Sequence, residues 1–402
     1  MATSDSIRTV PASINAPSKP HQQPRGRVSS PADTSIPDAG GLSCKDFYRI
    51  SHEIDRGSFS RVYECYHRYT ATKFAVKVID RRSLSRKADD AVFREARILQ
   101  ELQNKRRTTE DNDNGGRDGG EGSGAGFVRL VDFFIEPTRF FLVMDYMAGS
   151  TLFDRVLDKH YYSEDDARVL LTRLLRSLAF MHRHDVVHRD LKPQNILLAD
   201  VDNDTNAFLG DFGFATVIRP VLDETTNRMT RRVLRQKCGT PSYVAPEVIA
   251  GKPYDQAADM WSLGVVAFFV QGGYPPFVDF HSRQGMFQKI LRGEFEFHET
   301  DWSGVSDQAK DFIRALLTVD PNQRMTASEA LFHPWILAGD SVSNRPPMIP
   351  PSARDASTTS KKGKGVRNAI KAAARSFGKQ SSSLKHLQAS GDNFNRIRTS
   401  SQ

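Results

Sequence analysis

From Phe47 to Leu337 the apolar patterning is almost continuous, but its period changes part-way, and that change restricts the fold more than any other feature. FYRISHEI, RVYECYH and KFAVKVI are rich in β-branched and aromatic residues and read as strands. DDAVFREARILQEL has helical spacing, FVRLVDFFI and FFLVMDY return to strand, and the remainder reads mostly as helix. The order predicts an α+β, two-lobed body: a small β-rich N-lobe, then a larger, mostly helical C-lobe. Residues 104–126, NKRRTTEDNDNGGRDGGEGSGAG, hold seven glycines and five acids without periodicity and predict a flexible surface insert. MWSLGVVAFFVQGGYPPFV, residues 260–278, is uncharged and close to bilayer length, but Gln271, two glycines and two prolines interrupt it. A buried core helix ending at Gln271 is the expectation.

The 402 residues suffice for a substantial core. Cys44, Cys65 and Cys238 are too few and scattered for a disulfide framework or a zinc site, which predicts a reducing compartment. Residues 1–43 are rich in Pro, Ser and Ala, lack the apolar core of a secretion signal, and predict a disordered leader. Cytoplasm, with the nucleus as alternative, is the expected location. The formal net charge of +8 is unevenly spread: Lys361 to Gly391 carries eight Lys or Arg and no acid, inside a basic, Ser-rich tail over 338–402.

In VVHRDLKPQNILL, residues 186–198, apolar runs on both sides fix a turn that presents Asp190, Lys192 and Asn195 within six residues. These groups suit phosphate chemistry: a carboxylate can accept a hydroxyl proton, an ammonium can neutralise a phosphate oxygen, and an amide oxygen can hold Mg²⁺. DFGFA, residues 211–215, adds the hard oxygen ligand of Asp211 and a backbone pivot at Gly213, and GTPSYVAPE follows at 239–247. Upstream, IDRGSFSRV, residues 54–62, reads as strand, turn and strand. With Gly57 its one glycine, it fits a phosphate loop or an ordinary hairpin.

HRDLKPQN, DFG and APE together, in this order across residues 47–337, resemble the eukaryotic protein kinases. The resemblance implies the two-lobed protein kinase fold, ATP and Mg²⁺ as cofactors, and protein substrates. It implies that Asp190 orients and deprotonates the substrate hydroxyl, that Lys192 meets the γ-phosphate, and that Asn195 and Asp211 hold Mg²⁺. It assigns Lys77 to the α- and β-phosphates and Glu95 to pairing with that lysine. The phosphate loop becomes Ile54, Asp55, Arg56, Gly57, Ser58, Phe59, Ser60, Arg61 and Val62, with Phe59 at the tip. Asp55 and Ser60 stand where the pattern has glycine; a carboxylate beside an anionic ligand is expected to weaken nucleotide binding. Val62, Ala75 and Leu197 would sandwich the adenine, with Met144 as gatekeeper and Asp145 to Met147 as hinge. Glu247 and Arg324 would form a buried ion pair, and Asp259 would brace the catalytic turn.

GGYPPF, CGTPSYVAPEV and ALFHPWI are most similar to the calcium/calmodulin-dependent protein kinase group, which implies Ser/Thr substrates. Two acids that read an upstream arginine in such relatives are here Thr151 and Gln194. The position two before Cys238, often a phosphorylated threonine in relatives, is Gln236. Thr225, Thr226 and Thr230 remain candidates for a phosphate among Arg189, Arg231, Arg232 and Arg235. In the tail, Val366, Ile370, Ala373 and Phe377 share one helical face, with Arg367, Lys371, Arg375 and Lys379 along the other. Residues 361–380 thus read as a calmodulin-binding and autoinhibitory segment, an anchor to an anionic membrane surface, or a solvated tail. A monomer without a nucleic-acid partner is expected. The contrasting reading is an inactive kinase-fold scaffold that binds partners through this tail, which Asp55 favours and every catalytic residue opposes.

Overall fold

The structure, a computed structural model, describes residues 43–57, 60–112, 125–218, 220–223, 228–231, 233–279 and 282–338. A short helix α1 (Cys44–Phe47), capped by the Ser43 hydroxyl, leads into β1 (Tyr48–Arg56), β2 (Ser60–His67) and β3 (Lys73–Asp80). Helix α2 (Arg86–Asn112) then precedes β4 (Leu130–Ile135) and β5 (Arg139–Asp145). The five strands form one antiparallel sheet in the order β1-β2-β3-β5-β4. Cys44, Tyr48, Cys65, Val76, Phe134, Phe141 and Val143 make a continuous core there, as the alternation of strand residues requires.

After β5 come α3 (Leu152–Lys159), α4 (Glu164–Arg183) and two short antiparallel pairs. These are β6 (Val186–Val187) with β9 (Thr216–Val217), and β7 (Ile196–Leu198) with β8 (Ala207–Leu209). A hairpin, β10 (Pro220–Asp223) with β11 (Arg228–Arg231), follows, then α5 (Pro246–Ile249) and α6 (Ala257–Gly272). The chain continues through α7 (Arg283–Arg292), α8 (Glu299–Trp302), α9 (Asp307–Leu316), α10 (Ala327–Leu331) and α11 (Pro334–Leu337). The uncharged run at 260–278 is indeed mostly the core helix α6, buried from Ala258 to Gly272. Beside it a buried pair of charges is balanced: Arg324 donates to both carboxylate oxygens of Glu247, on α5, at 2.8 and 3.0 Å, and its guanidinium lies over the Trp261 ring of α6. No described helix is long and apolar enough to cross a membrane. All three cysteines are free thiols.

The stretch expected to be irregular is narrower than 104–126. Helix α2 runs on through Asn112, because NKRRTTEDN contains no Gly or Pro to end it. At the other end Ala125 and Gly126 are buried; Arg106 Nη1 donates to the Ala125 carbonyl at 3.3 Å, and the Gly126 N–H donates to Ser177 Oγ at 2.8 Å.

Candidate active site

The turn between β6 and β7 is held from below by one carboxylate. Asp259, in the first turn of α6 and 1% exposed, accepts the His188 N–H at 2.8 Å, the Arg189 N–H at 2.9 Å and the His182 Nε2–H at 3.0 Å. Burial alone would raise its carboxyl; the bond and charge of His182, together with His188, outweigh that and hold it below the ordinary aspartate value. Arg189 sits at φ 68°, a left-handed conformation that costs a non-glycine residue strain, and these bonds hold it there.

Pinned in this way, the turn presents Asp190, Lys192 and Asn195 together, each less than a tenth exposed. Asp190 Oδ2 accepts from Lys192 Nζ at 2.8 Å and from Asn195 Nδ2 at 3.2 Å. Its Oδ1 accepts both the N–H and the hydroxyl of Thr240 at 2.8 Å, and that hydroxyl in turn accepts from Lys192 Nζ. Gly239 permits this approach: at φ 100° its absent Cβ would lie 2.7 Å from the Arg189 carbonyl. Thr240 and His182 carry no role in the sequence reading. GTPSY was legible as a motif, but nothing local shows that its threonine reaches back fifty positions to Asp190.

A second cluster faces the first from the N-lobe. Lys77 Nζ, on β3, donates to Glu95 Oε1 on α2 at 2.7 Å and to Asp211 Oδ1 at 2.9 Å. Burial opposes the charge on Lys77, but Asp211 and Glu95 raise its affinity for the proton well above the ordinary lysine value, so it is a fixed cation. The two clusters are tied through Gly210, whose N–H donates to the Asn195 carbonyl at 2.8 Å and whose carbonyl accepts from His188 Nε2 at 3.0 Å. Phe212, next to Asp211, is buried against the His188 ring.

The remaining predicted positions distribute along the N-lobe and the linker. Asp55 and Arg56 on β1 face Val62 and Arg61 on β2, with Ile54 and Asp55 exposed and Arg56 paired to Glu53. Gly57 donates its N–H to the Ser60 carbonyl at 2.8 Å, and a Cβ there would meet Ser60 Oγ at 2.8 Å. Ser58 and Phe59 lie outside the described residues, as do Thr225, Thr226, Arg232 and the tail segment 361–380. Val62 stands opposite Lys77, and Ala75 opposite Met144, in register. Asp145 is fixed by Arg129, which donates to its carboxylate at 2.8 and 3.1 Å, and Met147 is half-buried. Leu197 on β7 bridges to Thr151, which caps α3 and turns its hydroxyl to Asp154.

A carboxylate aimed by a lysine, an amide and a threonine, across from a cation and a second carboxylate, is an arrangement for moving a phosphoryl group. The donors suit Mg²⁺. Asn195 spends its nitrogen on Asp190, which leaves its amide oxygen free to accept, and the Asp211 carboxylate is nearly half exposed. Among the described residues no group of three or more His, Cys, Asp or Glu is placed to hold a metal; Mg²⁺ needs fewer, since phosphates and waters complete its shell.

A family model described as the protein kinase domain matches residues 123–336. The chain belongs to the protein kinase family. Calcium/calmodulin-dependent protein kinase type 1 of Caenorhabditis elegans is 36% identical to this kinase over 299 residues, 74% of this chain and 76% of that one. Myosin light chain kinase A of Dictyostelium discoideum is 34% identical over 294 residues, 73% and 89% of the two chains. Serine/threonine-protein kinase H1 of Homo sapiens is 36% identical over 291 residues, 72% and 61%. The kinase is therefore a Ser/Thr protein kinase of the calcium/calmodulin-dependent group, and it uses ATP and Mg²⁺.

Proposed function

We propose that Asp190 orients the Ser or Thr hydroxyl of a protein substrate and takes its proton as the γ-phosphoryl of ATP is transferred. The observation that carries this assignment is the four-way hold on the Asp190 carboxylate by Lys192, Asn195 and the two donors of Thr240. In this reading Lys192 steadies the γ-phosphate, Lys77 the α- and β-phosphates, and Glu95 keeps Lys77 in place. Asn195 and Asp211 hold Mg²⁺, which when bound neutralises phosphate oxygens. Residues 54–62 cover the phosphates, while Val62, Ala75, Leu197, Met144 and the backbone of Asp145 to Met147 seat the base. With Thr151 and Gln194 in place of acids, this reading assigns no residue to an upstream arginine of the substrate.

The tail over 338–402 is the proposed regulator, with residues 361–380 as an autoinhibitory segment released by calcium-loaded calmodulin. Its basic, amphipathic spacing supports this, as do the names of calmodulin-dependent relatives. Transfer of labelled phosphate from MgATP to a generic protein substrate tests both parts, comparing wild type, Asp190→Ala and a chain ending at Leu337, with and without Ca²⁺/calmodulin. Loss in Asp190→Ala, with release by truncation or calmodulin, supports both. Equal activity of the full and truncated chains in all conditions removes the tail from regulation, and absence of transfer from every form favours an inactive scaffold.

A further inference from the structure

The Arg189 guanidinium lies beside the segment that carries Thr240, and its partners are uncharged. Its Nε donates to the Phe214 carbonyl at 2.6 Å and its Nη1 to Gln236 Oε1 at 3.4 Å. Among the described residues no carboxylate pairs with it. The Gln236 backbone is anchored separately: its carbonyl accepts from Tyr254 Oη at 2.6 Å, and two positions earlier Leu234 exchanges both backbone hydrogen bonds with Tyr254, at 2.8 and 2.9 Å. Four residues on, Thr240 supplies two of the four bonds to Asp190.

We infer that Gln236 is a positioning residue, a neutral tether from the activation segment to the catalytic turn that sets Thr240 against Asp190 without a phosphate. The inference rests on the kinase reading of the site and adds how its substrate-side wall is ordered. A phosphate placed beside a guanidinium can order a neighbouring segment through charge-assisted hydrogen bonds. Here an amide oxygen on a strand-like anchor occupies that place, so ordering is built into the sequence. Phosphates on Thr225, Thr226 or Thr230 are then unnecessary for alignment.

The test uses the full chain, treated with a protein phosphatase and confirmed free of phosphate by mass spectrometry, as wild type, Gln236→Ala and Gln236→Glu. The expected result is that dephosphorylated wild type keeps its kcat. Gln236→Ala lowers kcat by about 10- to 100-fold with an unchanged KM for ATP, because the misplacement is confined to the substrate side. Gln236→Glu restores kcat and makes it sensitive to salt, as a partly exposed ion pair must be. Three kinetic outcomes overturn the inference: loss of wild-type activity on dephosphorylation, wild-type kcat in Gln236→Ala, or failure of Gln236→Glu to rescue. Trypsin gives a readout independent of catalysis, since Arg235 and Lys237 flank the tether. Faster cleavage at those bonds in Gln236→Ala than in wild type is expected, and equal cleavage refutes the tether even if no form transfers phosphate.

Discussion

Asp259→Asn tests the brace beneath the catalytic turn with almost no change of shape. Oδ2 accepts from His182 and the His188 N–H, and Oδ1 from the Arg189 N–H. Bonds to a charged acceptor contribute about 1.5–3 kcal/mol each. The asparagine keeps one oxygen and turns an NH₂ toward a donor, so at least one buried N–H is orphaned and the others lose their charge assistance. The loss expected is about 3–5 kcal/mol. At about 2–4 °C per kcal/mol for a large domain, Tm falls on the order of 10 °C. Below that temperature kcat falls by about 10- to 100-fold while the KM for ATP holds, because Lys77 and Asp211 are untouched. The pH dependence adds a signature. The Asp259 carboxyl is held below its ordinary value of 3.8, so its contribution is complete above that pH and fades as pH falls through the folded value. Asp259→Asn lacks this acid limb. Thermal melts from pH 3 to 7 with steady-state kinetics at pH 7 measure all of it. A variant with wild-type Tm and kcat refutes the brace.

Lys77→Met removes the cation between Glu95 and Asp211 and is expected to lower kcat/KM for ATP by about 10²- to 10³-fold in a steady-state assay. Asp55→Gly takes an exposed carboxylate from the rim of the phosphate loop; at high dielectric the repulsion removed is below about 1 kcal/mol, so the KM for ATP drops by about 2- to 5-fold in the same assay. An unchanged KM would show that Asp55 imposes no penalty. Gln271 is 3% exposed within α6, and among the described residues neither of its side-chain amide atoms has a hydrogen-bond partner. Gln271→Met is therefore expected to stabilise the domain by about 1–3 kcal/mol, read by chemical denaturation.

The strands of the N-lobe were legible because alternation and turn residues are local, and all five formed within a few residues of their expected places. Helix α6 was legible because its apolar run from Met260 to Val270 is equally local. Asp190, Lys192 and Asn195 were readable because they fall in one short motif whose flanking apolar runs force a turn, and Asp211 because DFG follows it in the order that resembles the protein kinases. What the sequence hid is long-range. Thr240 lies fifty residues from Asp190, and His182 lies seventy-seven from Asp259; no local pattern joins them. Gln236 stood out in the sequence only as the absence of a phosphorylatable residue. Its role emerged when the fold brought Arg189 to it. The extension of α2 was missed because the glycines further on dominated the composition of the whole window.

The joint between α2 and β4 is fastened at both banks, by the end of a long helix on one side and by the Arg106 and Ser177 clasps on the other. Closing a loop between fixed points costs only about 0.6 kcal/mol more for each doubling of its length. A change of chain length between these anchors is therefore expected to cost little stability and to leave Glu95 and the catalytic turn in place. The joint is also the natural splice point for a reporter domain that must leave phosphoryl transfer undisturbed.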